Sequence, residues 1–461
     1  MRAGERAFDS SSAGRRKPRL ELVMNRRGFL KSFGAATAWV SFTPARRTAA
    51  AEADARLEQA REGIAHHRQS DLIIRVRNDA GQPLPGLALN VEQLRHDFLW
   101  GANLFGWSKP GEPEIEAAYR TRFANLFNYA TLDFYWHTYE PEAGQPRYAR
   151  TDATTNWCRT HRITAKGHPL VWANIPDPDW LPADHAAIQA ASLGRVRDIV
   201  GRFRDRIDVW DVVNEPSLLL WAETRLGAWA HQVGSLSFVT QHLRAARAAN
   251  PAATLLVNEV LSDYPVYPLL ESLHAQTEPL LDAVGLQSHM HRGVWPLDRL
   301  WRLCDRFGAL GMPLHFTEFT ILSAAGDASD RWTTPTAESE QTQSEQVSDH
   351  YTLLFGHPAV AAVSWWDLSD RGAWKSAPAG LLRADMSPKP AYDRLHELIR
   401  NRWWTAATGL TDADGQFACR AFHGHHRVTV RQPDGRESQH EAVCTRTGKN
   451  QIELTWKPSG G

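Results

Sequence analysis

The sequence predicts an α/β protein built on a (β/α)8 TIM barrel, with an N-terminal β-hairpin extension and a small C-terminal β-sandwich-like domain. Three observations predict it. Eight short apolar runs alternate with helical patterns between Phe98 and Trp366. A barrel's usual length of about 250 residues fits that region. An open doubly wound sheet would carry a glycine-rich first turn for a phosphate ligand, and none is present.

Residues 1–53 read as a leader. Asn25-Arg26-Arg27-Gly28-Phe29-Leu30-Lys31 is basic, Ser32 to Phe42 is mildly apolar, and Thr48 to Ala53 is rich in small residues. That order is a signal peptide's, and the paired arginines resemble a twin-arginine export signal. The apolar run is too short to span a bilayer. The polar, Arg-rich residues 1–23 precede Met24, so Met24 is the expected start of the signal. The mature chain is expected in the periplasm or outside the cell, with no membrane attachment.

Residues 54–97 lead into the barrel. A helical stretch, Ala55–His66, precedes the run Asp71–Asn78, the turn Asp79–Gly86 and the run Leu87–Gln93, which together read as a β-hairpin. Residues 98–402 are the barrel. Its expected strands are Phe98–Ala102, Leu126–Leu132, Ile163–Trp172, Ile207–Asn214, Thr254–Glu259, Ala283–His289, Leu314–Thr317 and Val360–Trp366. Helices are expected over Glu114–Asn125, Ala153–Arg162, Gly194–Asp205, Ser237–Ala249 and Pro296–Leu310. After Trp404, short strand patterns separated by turns predict a small all-β domain over residues 403–461.

Composition excludes several classes. The 461 residues carry no formal net charge, and no basic patch dominates, which argues against nucleic acid as the partner. Four cysteines are too few for a disulfide framework, although Cys419 and Cys444 fall on candidate strands of one small domain. His168 and His289 lack the close spacing of a hydrolytic zinc site, so no metal is expected. His66, His67, His423, His425 and His426 lie outside the barrel and read as surface residues.

The chemistry is carried by two glutamates. Glu215 closes Trp210-Asp-Val-Val-Asn214-Glu215, and Glu318 closes Leu314-His-Phe-Thr-Glu318. Both fall at C-terminal strand ends, the face where barrels place active sites. Roughly a hundred residues separate them, room for three strand-helix units of about 30 or more residues. Two carboxylates brought together in this way are the apparatus for cleaving a glycosidic bond. Other strand ends open into polar or aromatic groups: His168 and Trp172 after the third, Gln287 and His289 after the sixth, Trp366 and nearby Trp374 after the eighth.

At these residues the chain resembles glycoside hydrolase family 10, the retaining endo-xylanases. Trp210-Asp-Val-Val-Asn214-Glu215-Pro216 is similar to the family's acid/base segment, and Thr317-Glu318-Phe319 to its nucleophile segment. Gly167-His168-Pro-Leu-Val-Trp172, Gly285-Leu-Gln287-Ser-His289 and Ser364-Trp-Trp366 with Asp370 and Trp374 resemble its other strand-end motifs. The resemblance implies Glu318 as nucleophile and Glu215 as acid/base. It also implies that His168, Trp172, Asn214, Gln287, His289, Trp136, Trp366 and Trp374 bind the sugar. No cofactor is implied, the expected partner is a polysaccharide, and a monomer is expected.

Two positions depart from the family. Its strand-two motif ends in Lys-Trp, where this chain has Tyr135-Trp136, and a His usually follows the strand-three Trp, where this chain has Ala173. The leading expectation is a retaining endo-β-1,4-glycanase acting on xylan. The alternatives are a glycanase of the same mechanism on another polysaccharide and a non-catalytic carbohydrate-binding protein.

Overall fold

The computed structural model describes residues 44–107, 112–260, 266–278, 280–327, 329–432 and 434–456. The expected leader, with Met24, Arg26 and Arg27, lies almost wholly outside the described residues. Contacts divide the chain into two units, 1–49 and 50–461, and every described strand belongs to the second.

Fifteen strands are described, numbered here in chain order. β1 (Gln69–Asn78) and β2 (Ala88–His96) precede the barrel. The barrel strands are β3 (Leu99–Asn103), β4 (Tyr129–Asp133), β5 (Thr164–His168), β6 (Val209–Asn214), β7 (Thr254–Glu259), β8 (Ala283–Leu286), β9 (Leu314–Phe319) and β10 (Val360–Trp365). β11 (Ala406–Leu410), β12 (Gln416–Phe422), β13 (Gly424–Arg431), β14 (Glu437–Cys444) and β15 (Gln451–Trp456) come after it.

β3 to β10 close into one parallel barrel, each beside its sequence neighbour and β10 beside β3. Every residue of β6 and of β9 is buried. That is why these strands read as unbroken apolar runs: a parallel sheet has both faces covered. Helices fill the connections and begin at local signals. Asp184 accepts a hydrogen bond from the Ala187 amide at 2.9 Å to cap the helix His185–Arg202. Thr336 and Ser339 form a reciprocal capping box at the start of Ala337–Gly356.

β1 and β2 lie where the sequence places them, but they do not pair with each other. β1 pairs with β12 and β15, and β2 with β11 and β13. The expected hairpin is therefore a crossover between two sheets, ordered β12-β1-β15 and β11-β2-β13-β14. Alternating burial along β13 turns Val428 and Val430 inward, onto a core shared with Leu72, Ile74, Val91 and Leu454. Segments from both ends of the chain thus build one β-sandwich. Cys419 and Cys444 are free thiols within it.

The sandwich sits under the barrel. Arg68, just before β1, donates to the carbonyls of Phe355, His357 and Val360 at 2.6–2.7 Å. Asn128, just before β4, donates to the carbonyls of His96 and Phe98 at 3.1 and 3.0 Å. These contacts engage the N-terminal ends of barrel strands, which leaves the C-terminal ends clear. His423 and His426 are buried at this junction rather than on the surface.

Candidate active site

Glu215 follows β6 directly and adopts a left-handed backbone, φ 54° and ψ 51°. That conformation costs a non-glycine residue roughly 1–2 kcal/mol. It is pinned on both sides. The Glu215 amide donates to the Asn258 carbonyl at 2.7 Å. Two residues on, the Ser217 amide and hydroxyl both donate to the Glu259 carboxylate, at 3.1 and 2.6 Å. The Glu215 side chain then accepts from Trp172 Nε1 at 2.8 Å and from Gln287 Nε2 at 3.1 Å. Burial pushes its carboxyl up to about 7. The two donors pull it back, while Glu318 and Glu259 push it further up.

Glu318 lies on β9 and is buried. Its Oε1 accepts from Asn258 Nδ2 at 2.8 Å and its Oε2 from His289 Nε2 at 2.9 Å. A carboxylate can only accept, so His289 carries a proton on Nε2, and its Nδ1 lies 3.1 Å from the Thr320 hydroxyl. Burial alone would raise the Glu318 carboxyl. The His289 hydrogen bond and the charges of His168, His289 and Lys166 outweigh it and hold Glu318 below the usual carboxylate range. Two carboxyls in one cleft thus have opposite tendencies, one toward the acid and one toward the anion.

Asn258 on β7 joins the two halves. Besides Glu318, its Nδ2 donates to Asn214 Oδ1 at 2.8 Å. Its Oδ1 accepts from the Thr317 hydroxyl. Gly285 on the next strand makes this possible, since a Cβ there would lie 2.9 Å from Asn258 Oδ1.

Below the pair lies a buried ion cluster. Asp211 Oδ2 accepts from Lys166 Nζ at 2.7 Å and from His168 Nδ1 at 2.8 Å. The other nitrogen of His168 stands 3.8 Å from Glu318 Oε1. Burial alone would raise Asp211, but Lys166 and His168 together hold it low.

Most of the expected residues converge. Trp172 and Gln287 bond Glu215, and His289 bonds Glu318; Asn214 reaches Glu318 through Asn258, and His168 stands at van der Waals distance from it. Trp366 packs edge-on against His168 and His289, with centroids 5.5 and 5.7 Å apart. Trp374, 44% exposed, lies 4.6 Å from the His289 ring. Trp136 is the exception. It is buried against Trp180 and under the Arg195 guanidinium, and its Nε1 donates to Glu140 at 3.0 Å. It lines a small pocket together with Trp172.

Sequence reading assigned no role to Asn258, Lys166 or Asp211. The signal for the last two was a charge inside an otherwise apolar barrel strand, where burial demands a partner. Tyr135, in place of the family's lysine, packs against His168 and Trp172 with centroids 5.8 and 6.0 Å apart. Ala173 is buried and offers only its carbonyl, which accepts from Thr224 at 2.7 Å.

A parallel eight-stranded barrel with two buried glutamates in unequal settings at its strand ends has the architecture of a barrel glycoside hydrolase. The chain belongs to Glycosyl hydrolase family 10, which residues 108–398 match. Among curated relatives it is 25% identical over 413 residues to Anti-sigma-I factor RsgI6 of Acetivibrio thermocellus, covering 87% of this chain and 50% of that protein. It is 24% identical over 380 residues to Endo-1,4-beta-xylanase 1 of Arabidopsis thaliana, covering 79% of this chain and 36% of that one. The chain therefore spans half or less of the length of these two relatives. Endo-1,4-beta-xylanase B of Thermotoga neapolitana is 25% identical over 347 residues, 71% of this chain and 95% of the relative.

Solved structures share the fold. A family 10 structure from Paenibacillus barcinonensis aligns with a TM-score of 0.57 at 21% identity, covering 66% of this chain and 96% of that one. Xylanase 10B from Thermotoga petrophila RKU-1, in complex with xylobiose, gives 0.56 at 22%, covering 66% and 95%. No helix among the described residues is long and apolar enough to cross a membrane.

Proposed function

We propose that the chain is a retaining endo-β-1,4-glycanase acting on xylan by double displacement. The observation that carries this reading is the unequal grip on the two glutamates. Glu318, held as an anion by His289 and Asn258, attacks the anomeric carbon and forms a glycosyl-enzyme. Glu215, with its carboxyl near 7, protonates the departing oxygen. In the second half-reaction Glu215, now ionised, takes a proton from water, which displaces Glu318 and restores the original configuration. Asn214 and Asn258 stand beside Glu318, where a hydrogen bond to the sugar's 2-hydroxyl would strengthen as charge develops. His168, Trp366 and Trp374 wall the sugar, and the chemistry calls on no cofactor. Purified protein incubated with xylan, mixed-linkage glucan and mannan, with the product anomer followed by NMR, tests the reading. An α-configured first product or no cleavage of any polymer would refute it.

Tyr135 and Ala173 favour a second reading, the same mechanism on a different polysaccharide. Tyr135 puts a neutral hydroxyl where the family usually has a charged Lys, Ala173 removes the hydrogen-bonding ring of a His, and the same screen decides between the two readings. Supporting export, residues 25–53 run basic, apolar and then small in order. Replacing Arg26 and Arg27 with Lys should abolish delivery to the periplasm, and undiminished delivery would sink that part of the proposal.

A further inference from the structure

β8, β9 and β10 are neighbours in the barrel, and Glu318 lies on the middle one. The loops that follow these three strands meet at a single carboxylate. Asp330, in the loop after β9, accepts from Arg292 Nη2 at 2.6 Å and from Lys375 Nζ at 2.7 Å. Arg292 comes from the loop after β8 and Lys375 from the loop after β10. Arg292 also donates to the Asp327 carbonyl. The ionic clasp of Arg292, Asp330 and Lys375 lies outside the hydrogen-bond network of the two glutamates.

A second fastening holds the same residue. Trp332 Nε1 donates to the Lys375 carbonyl at 3.0 Å. Trp332 can fold back there because Gly326 lies against it: a Cβ on Gly326 would come within 2.1 Å of the indole. Lys375 is therefore gripped at its backbone and at its side chain. Its ammonium also lies 4.8 Å from the Trp374 ring centroid. Trp374 in turn lies 4.6 Å from the His289 ring, and His289 donates to Glu318. Buried His291 fills the space between, with centroids 5.1 Å from Trp374 and 5.9 Å from Trp332. A continuous set of contacts thus runs from the clasp to Trp374, His289 and Glu318.

The backbone at the clasp is strained. Lys375 has φ 59° and ψ 15°, Ser376 has φ 51° and Asp330 has φ 57°. Residues with a side chain rarely enter this left-handed region. Two of the three directly follow Trp374. Such backbone persists only where its surroundings over-determine it, and here the surroundings are the clasp and the Trp332 bond. The side chains of Asp330 and Lys375 are 31% and 30% exposed, and that of Arg292 is 51% exposed. Ion pairs this exposed add little to the stability of a whole fold. Their effect falls on which conformation one strained loop holds.

We propose that Asp330 and Lys375 are positioning residues: their clasp holds the strained segment after Trp374 and so keeps the Trp374 ring against His289. Opening the clasp lets Lys375 and Ser376 relax toward ordinary backbone angles and carries the ring away from the site. The consequence for a bound sugar rests on the glycanase reading; the hold on Trp374 does not.

The test measures xylan kinetics of the full chain and of Asp330→Asn and Lys375→Met. In both variants KM should rise by roughly three- to tenfold while kcat changes by less than about twofold. A Trp374→Ala background separates positioning from a general structural role. There the ring is gone, so adding Lys375→Met should lower kcat/KM no further. An unchanged KM in both clasp variants, a loss confined to kcat, or a Lys375→Met loss that persists in full without the ring overturns the proposal. If the unaltered protein cleaves no xylan, glucan or mannan, the glycanase reading fails, and hydrogen exchange over residues 371–377 decides the clasp by itself. The Trp374 amide, which donates to Asp367 at 3.1 Å, reports the loop's hold. Exchange faster by roughly three- to tenfold in Lys375→Met upholds the clasp; equal exchange overturns it.

Discussion

Charge-removing, shape-keeping substitutions at the two glutamates should change stability in opposite directions. Glu215 has a folded pKa near 7 against an ordinary value of 4.5. Its charged form is therefore disfavoured by the fold. Below 4.5 the group is protonated in both states and costs nothing. As pH rises toward 7 the unfolded chain has lost the proton while the folded one keeps it, so stability falls. At 1.36 kcal/mol per unit, the full cost is about 3 kcal/mol above neutrality. Glu215→Gln removes it, and should gain about 2–3 kcal/mol over the native chain between pH 5 and pH 8. Glu318 has the reverse sign. Its folded carboxyl lies below its ordinary value, so it contributes stability above the unfolded pKa, lost as pH falls through the folded one. Glu318→Gln gives up hydrogen bonds from Asn258 and His289 to a charge, and should be the less stable protein at both pH values. Urea titrations of the three proteins at pH 5 and 8 measure this. A Glu215→Gln protein that gains nothing between the two pH values, or a Glu318→Gln protein more stable than native at pH 8, would show that the site's electrostatics are misassigned.

The same geometry makes further outcomes testable. The basic limb of kcat/KM should lie near pH 7, where Glu215 loses its proton, and Trp172→Phe should move it upward by about one unit or more, because a donor to the ionised form is lost; a downward shift in the pH profile would contradict this. With an aryl glycoside of an acidic phenol, Glu215→Ala should form the intermediate and hydrolyse it slowly. Azide should restore its turnover and give a β-glycosyl azide by NMR, whereas Glu318→Gln should not respond. Turnover of xylobiose and xylotriose should be weak and rise with chain length, because Tyr135 offers a neutral hydroxyl where the family has a charged Lys, and Ala173 offers no side-chain hydrogen bond where it has a His; efficient cleavage of xylobiose in a chromatographic assay would count against it. Trp136→Phe should cost stability in thermal melts, through the lost Glu140 bond, more than it costs KM.

The barrel was legible because its strands are buried on both faces. β7 spans the expected Thr254–Glu259, and the other barrel strands overlap their expected runs with ends shifted by a few residues. The pair was legible for the same reason, since a glutamate ending such a run has few harmless explanations. The sandwich was only half legible. Alternation marks which face of a strand is buried but says nothing about its partner, and β1 pairs with strands more than 300 residues away in sequence. The burial of His426 was not legible because a single imidazole carries no sign of which layer will cover it.

The buried cluster of Lys166, Asp211 and His168 has no good explanation in stability alone. An ion pair taken out of water often gains nothing over well-packed apolar side chains of similar volume. Here it also leaves Asp211 Oδ1 without a partner. His315 does not add to the positive charge, because burial, and then Lys166, push its imidazole down to about 4. The cluster's influence falls on Glu318, whose carboxyl is lowered by both His168 and Lys166. Once Glu318 is ionised, its charge helps to keep the proton on Glu215. Charge fixed in the barrel interior by Lys166 thus acts on Glu215 through Glu318. Burial is the larger influence on Glu215, and this electrostatic link adds to it, so a substitution deep in β5 or β6 should register at Glu215 without touching it.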